Sequence, residues 1–217
     1  MKKLGLIHTS ATLVPVFAQL CKAKLPNVEV FNIADDSLVK GIMAAGSLTA
    51  QISRRVAGYL ESAELAGADY ILVTCSSIGP AVEAAAKLIG VPVLRVDQPM
   101  ADQAVQTGKR IGVIATLRTT LEPTADLIQR RAAKAGKKIE LTSRLCEGAF
   151  DALMSGEAAK HDAMVAAALK ELSRQVDVIV LAQASMARVV DGLAEADKRV
   201  PILASPAIAV DYLATVL

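Results

Sequence analysis

The sequence predicts an α/β protein of two pseudo-symmetric, Rossmann-like lobes, each with a mostly parallel sheet. Two observations predict it. Short apolar strand signals alternate with longer helical stretches along the whole chain, and three strand-and-turn blocks recur in the same order about one half-length later.

The elements follow in order. Residues 4–8 are a short apolar run, and a helical stretch covers 13–24. A second strand is expected over 28–33, then an irregular segment over 34–46. Ser47 offers an N-cap, behind which Leu48, Ile52, Val56, Leu60 and Ala63 recur at helical spacing until Gly67 ends the helix. Strand 70–74, helix 80–88 and strand 91–96 complete the first half. The second half reads as strand 111–116, helix 121–135, strand 139–142, helix 161–175, strand 178–182, helix 186–196, strand 201–204 and a last helix to the C-terminus. The strands are rich in Val, Ile and Leu without clean alternation, as expected where helices cover both faces of a sheet.

The repeat organises the rest. Leu4-Gly5-Leu6-Ile7-His8-Thr9-Ser10-Ala11-Thr12 matches Ile111-Gly112-Val113-Ile114-Ala115-Thr116-Leu117-Arg118-Thr119 at an offset of 107. The block Asp69-Tyr70-Ile71-Leu72-Val73-Thr74-Cys75-Ser76-Ser77 matches Asp177-Val178-Ile179-Val180-Leu181-Ala182-Gln183-Ala184-Ser185 at 108, and Val91-Pro92-Val93-Leu94 matches Val200-Pro201-Ile202-Leu203 at 109. The expected lobes are residues 1–97, with the last helix (206–217) packing back on them, and residues 98–205.

Composition bounds the function. The 217 residues are 53% apolar, enough for a substantial core, and 24 basic against 22 acidic residues leave a net charge of +2. No bulk basic field is present to attract nucleic acid or an anionic membrane, and 3% aromatics supply few base-stacking platforms. Cys21, Cys75 and Cys146 are widely spaced, with no CxxC pair or His/Cys cluster, so neither a disulfide scaffold nor a metal site is expected. The apolar run behind Lys2-Lys3 is shorter than the roughly 7–15 residues of a secretory segment, and no membrane span is expected. A cytoplasmic protein follows.

Every matched block is a strand running into a turn, and ligands of open α/β sheets collect beyond the carboxyl ends of the strands. The turns His8-Thr9-Ser10, Cys75-Ser76-Ser77, Thr116 with Thr119 and Thr120, and Gln183-Ala184-Ser185 are therefore expected to line an inter-lobe cleft holding the active site. Cys75 ends a strand and precedes a helix start, where free N–H groups and the helix dipole favour a thiolate; the alternative is a small core residue. The hydroxyls of Thr9, Ser10, Ser76, Ser77, Thr116, Thr119 and Thr120 suit a small carboxylate, or simply cap helices. No GxGxxG or Walker pattern points to a nucleotide. His8 either meets substrate or is a satisfied structural histidine. His161 is expected on a solvated helix face and Cys21 in the core. Cys146 reaches the cleft only if the segment 143–148 folds inward; Asp97 and Arg118 end or follow strands and are expected at the surface, with an approach to the cleft as the alternative.

These residues together resemble the aspartate/glutamate/hydantoin racemase superfamily over essentially the whole chain. Val73-Thr74-Cys75-Ser76-Ser77 is similar to its first catalytic-cysteine element, and Ile111-Gly112-Val113-Ile114-Ala115-Thr116, followed by Thr119, to its carboxylate-binding turn. His8-Thr9-Ser10 occupies the corresponding first-lobe turn. The resemblance implies cofactor-independent proton transfer by Cys75 at a carbon next to a carboxylate or carbonyl of a small acid, an amino acid or a hydantoin-like compound, and a homo-oligomer. Where the family places a second cysteine, Leu181-Ala182-Gln183-Ala184-Ser185-Met186 carries Gln183. An amide is no general acid or base near neutrality, but it can hold a carboxylate. A one-thiol decarboxylase or isomerase and a non-catalytic carboxylate-binding protein are the alternatives.

Overall fold

The first strand is apolar from Leu4 to Ile7 because both of its faces are covered. In the computed structural model, which describes residues 1–217, β1 (Lys2–His8) sends Leu4 and Leu6 into one apolar cluster and Ile7 into another. The chain divides into two units, Met1–Gln98 with Pro206–Leu217, and Pro99–Ser205.

The first unit continues with α1 (Leu13–Lys24), β2 (Val28–Ala34), α2 (Asp36–Ala45), α3 (Ala50–Leu65), β3 (Tyr70–Val73), α4 (Gly79–Ala85) and β4 (Val93–Arg95). Its strands form one parallel sheet in the order β2-β1-β3-β4. Ile71 and Val73 of β3 join Leu38, Ile42, Val56 and Leu60 of α2 and α3, while Leu72 joins Phe17 of α1 on the opposite face. Each fully buried Leu or Ile contributes about 1.5–3 kcal/mol by leaving water.

The second unit contains α5 (Gln98–Thr107), β5 (Arg110–Ala115), α6 (Arg118–Lys134), β6 (Glu140–Leu145), α7 (Ala149–Met154), α8 (Ala158–Leu172), β7 (Val178–Leu181), α9 (Ala187–Asp191) and β8 (Ile202–Ala204). Its parallel sheet has the order β6-β5-β7-β8, the same topology as the first. The last helix, α10 (Ser205–Val216), puts Ala209, Val210 and Leu213 into the cluster of Leu4, Leu6 and Phe17.

One repeated device locks the amino ends of the central strands. Asp69 accepts a hydrogen bond from the Lys3 backbone N–H at 2.7 Å. Its repeat counterpart Asp177 accepts from the N–H groups of Lys109 and Arg110 at 3.0 and 2.9 Å and from the Arg110 guanidinium at 3.0 and 2.6 Å. The Arg110 side chain and these backbone donors hold the Asp177 carboxyl below its ordinary pKa.

The structure departs from the sequence pattern in several places. The segment expected to be irregular over 34–46 contains α2, capped by Asp35, whose carboxylate accepts from the Ser37 N–H at 3.0 Å, and closed by Gly46 at φ 68. Leu38 and Ile42 bury the helix, while Gly41 in its middle masks the pattern and lies against Ile52. The cap of α3 is Thr49, not Ser47: the Thr49 hydroxyl accepts from the Ile52 N–H at 3.3 Å. The helix expected over 186–196 is broken, with α9 stopping at Asp191 and a 3-10 turn at Glu195–Asp197. Helices α5 and α7 lie where the pattern assigns no element.

Candidate active site

In the first unit, His8, Thr74–Cys75 and Val96–Asp97 emerge from the carboxyl ends of three adjacent strands. His8 is fully buried, with Nδ1 2.9 Å from Thr74 Oγ1 and Nε2 2.9 Å from Asn32 Oδ1, so both ring nitrogens are engaged. Its ring stands 5.7 Å from that of Phe17. Burial lowers the His8 pKa, against the opposing hydrogen bond to Asn32, and so favours the neutral imidazole. Thr9 is buried, and Ser10 pairs its hydroxyl with that of Thr12 at 2.8 Å.

Cys75 caps a single 3-10 turn, Ser76–Ile78, which runs directly into α4. The chain has three unpaired cysteines, and Cys75 alone is half-buried rather than buried. Cys21 lies in the core, where burial pushes its thiol up to about 11, and burial likewise raises the Cys146 thiol against the weaker influence of Arg144. Cys146 packs among Ile114, Val165 and Met186. Ser76 and Ser77 are buried within the turn.

Asp97 is not at the surface: its side chain is 0% exposed and that of Arg95 3%. Arg95 donates Nε and Nη2 to the two Asp97 oxygens at 3.0 and 2.7 Å, and Nη1 to Glu83 at 2.7 Å. Burial opposes the guanidinium charge, but Asp97 and Glu83 more than offset it and raise the Arg95 pKa. Removing one member of such a buried pair typically costs about 3–5 kcal/mol.

In the second unit, the Thr116 N–H and hydroxyl donate to Gln183 Oε1 at 2.6 and 2.9 Å. Gln183 and Ala184 are half-buried and Ser185 is exposed. Thr120 is buried and Thr119 half-buried in the first turn of α6. Arg118 is exposed and faces Glu122 at 3.6 Å.

His161 is not solvated. It is 0% exposed in α8, with Nδ1 2.7 Å from Asp162 Oδ1, an oxygen that Arg188 also reaches at 2.8 Å. Its Nε2 has no hydrogen-bond partner. The signal for its burial was its spacing with Val165, Leu169 and Leu172 on one helix face. No group of three or more His, Cys, Asp or Glu side chains is gathered that could hold a metal ion, and no helix is long and apolar enough to cross a membrane.

The fold recurs in solved racemases. A glutamate racemase of Bacillus anthracis superposes with a TM-score of 0.77 at 18% identity, covering 100% of this chain and 81% of that one. An aspartate racemase of Picrophilus torridus gives 0.74 at 12% identity over 99% and 95% of the two chains. An allantoin racemase of Klebsiella pneumoniae gives 0.69 at 17% over 100% and 87%. At such identities the likeness establishes the fold. No curated protein sequence matches the chain. Residues 4–213 match the family described as Asp/Glu/hydantoin racemase, so the chain belongs to that family and is an enzyme of the racemase type.

Proposed function

We propose that the protein is a cofactor-independent racemase-type isomerase in which Cys75 transfers a proton at the carbon next to the carboxylate or carbonyl of a small acid. The observation that carries this reading is the contrast among the three thiols. Cys21 and Cys146 are buried with raised pKa values, whereas Cys75 stands half-buried at a strand end, at the start of a helical turn. In the forward step the Cys75 thiolate takes the α-proton. The electron pair left on carbon delocalises into the neighbouring carboxylate or carbonyl; a water on the opposite face delivers a proton there and inverts the centre, and the hydroxide it leaves takes back the proton held on Cys75, restoring thiolate and water.

Gln183 supports a holding role. Its carbonyl oxygen is occupied by both Thr116 donors, which leaves the amide NH2 to donate. Such a donor suits a substrate carboxylate and can neither remove nor deliver a proton at neutral pH. Thr9, Ser10, Ser76, Ser77, Thr119, Thr120, Ala184 and Ser185 are read as the surrounding polar turns that receive the acid.

A second reading has its own support. Cys146 is buried with a raised pKa, and both nitrogens of His8 are engaged, so neither is an evident second proton carrier. A reaction that needs one thiol, such as decarboxylation followed by protonation of the carbanion, fits that arrangement. Incubating the enzyme in heavy water with a panel of aspartate, glutamate, hydantoins and malonates separates the two. Racemisation places deuterium on the α-carbon of both enantiomers. Release of carbon dioxide with deuterium only in the product favours the one-thiol reading, and binding with neither outcome across the panel contradicts both.

A further inference from the structure

The two units build the same turn with one consistent difference. Val73 pairs with Arg95 across the first sheet, and Leu181 pairs with Ala204 across the second. Two residues after Val73 and Leu181 come Cys75 and Gln183, each capping a 3-10 turn that leads into a helix beginning at Gly79 or Ala187. The matching sequence positions for Gly79, Arg95 and Asp97, which follow Cys75, are Ala187, Ala204 and Pro206, which follow Gln183.

Gly79 and Arg95 are a matched pair. A Cβ on residue 79 would lie 2.2 Å from Arg95 Cζ and 2.4 Å from Nη2, so the guanidinium occupies the place where a side chain would be. Its orientation is fixed by three hydrogen bonds, two to Asp97 and one to Glu83. At the matching positions the second unit carries Ala187 and Ala204, both half-buried and both uncharged. Because apolar replacements of buried ion pairs are often neutral or stabilising, stability alone does not account for the ion pair packing on the turn that follows Cys75 when the matching positions after Gln183 are uncharged.

We propose that Arg95, held by Asp97 and Glu83, is a positioning residue for Cys75: it lies against the Gly79 backbone and fixes the turn that presents the sulfur. The assignment rests on reading Cys75 as the reacting group. Arg95 itself acts on the turn, not on the substrate.

The test is the full-length variant Gly79→Ala/Arg95→Ala/Asp97→Asn, which installs the small pair of the second unit and leaves no carboxylate buried without its cation. Its melting temperature is expected within about 5 °C of the parent. Its amides at residues 75–79 are expected to exchange with heavy water at least about tenfold faster. On the acid identified by the heavy-water panel, kcat is expected to fall about 30-fold or more with KM within about threefold. Parent-like amide exchange at 75–79, or parent-like kcat, in the folded variant overturns the proposal. If the triple variant does not fold, Glu83→Gln decides at a carboxylate that is 36% exposed: faster exchange at 75–79 supports the proposal and unchanged exchange overturns it. If Cys75→Ala retains turnover, the reading of Cys75 fails by itself, while the amide-exchange arm still reports whether Arg95 orders the turn.

Discussion

Thr116 holds Gln183 by two hydrogen bonds to one oxygen, from its N–H at 2.6 Å and its hydroxyl at 2.9 Å. An amide gripped through its carbonyl has one orientation, with the NH2 as its remaining function. The unit therefore offers a fixed neutral donor at the position where its repeat counterpart offers a thiol.

Gln183→Ala is expected to weaken binding of the acid substrate about tenfold, the equivalent of one hydrogen bond to a charged group. Gln183→Glu should weaken it further, because it adds a like charge. Titration calorimetry on both variants checks this order, and equal affinity in the parent and both variants contradicts it.

Only one thiol should react readily in the folded protein. Iodoacetamide at neutral pH is expected to add one carbamidomethyl group, at Cys75, while Cys21, with its thiol at about 11, and the buried Cys146 remain unmodified. Intact mass and peptide mapping read the result directly.

His8 makes stability depend on pH. Its folded pKa lies below the ordinary 6.5, so the unfolded chain takes up the proton first. Its contribution is complete above about 6.5 and is lost as pH falls through that value toward the lower folded pKa. The melting temperature should therefore drop on acidification from about pH 8 to 5, with a smaller drop in His8→Gln. The carboxylates with lowered pKa values, Asp35, Asp162 and Asp177, act in a separate window, losing their contribution only as pH falls through and below about 3.8.

Asp177→Ala removes an acceptor shared by two backbone N–H groups and the Arg110 side chain. Because the site is partly exposed and water can replace the lost partner, a modest loss of stability is expected, read as a lower urea midpoint. Urea unfolding of the parent and the variant measures it.

Much of the fold is legible in the sequence because its signals are local. Leu4, Leu6, Ile7, Ile71 and Leu72 form short apolar runs without alternation, and the structure covers both faces of those strands. The matched blocks were equally visible, and Asp69 and Asp177 open two of them, yet their role as strand locks depends on a neighbouring strand no local pattern names. Asp97 is expected at the surface from the sequence because its buried ion pair with Arg95 is recognisable only when both partners and the glycine beside them are assembled. His161 was the reverse case: its helical spacing with Val165 and Leu169 carried the answer, and its polarity concealed it. The pairing of Gln183 with Thr116 joins residues 67 apart and has no local trace.

The central claim is that the Cys75 sulfur moves the proton, and deuterium incorporation at the α-carbon by parent and Cys75→Ala enzyme in heavy water tests it most directly. The account predicts incorporation by the parent and a loss of at least about a thousandfold in the variant, with an unchanged melting temperature. Incorporation by folded Cys75→Ala at the parental rate would contradict it.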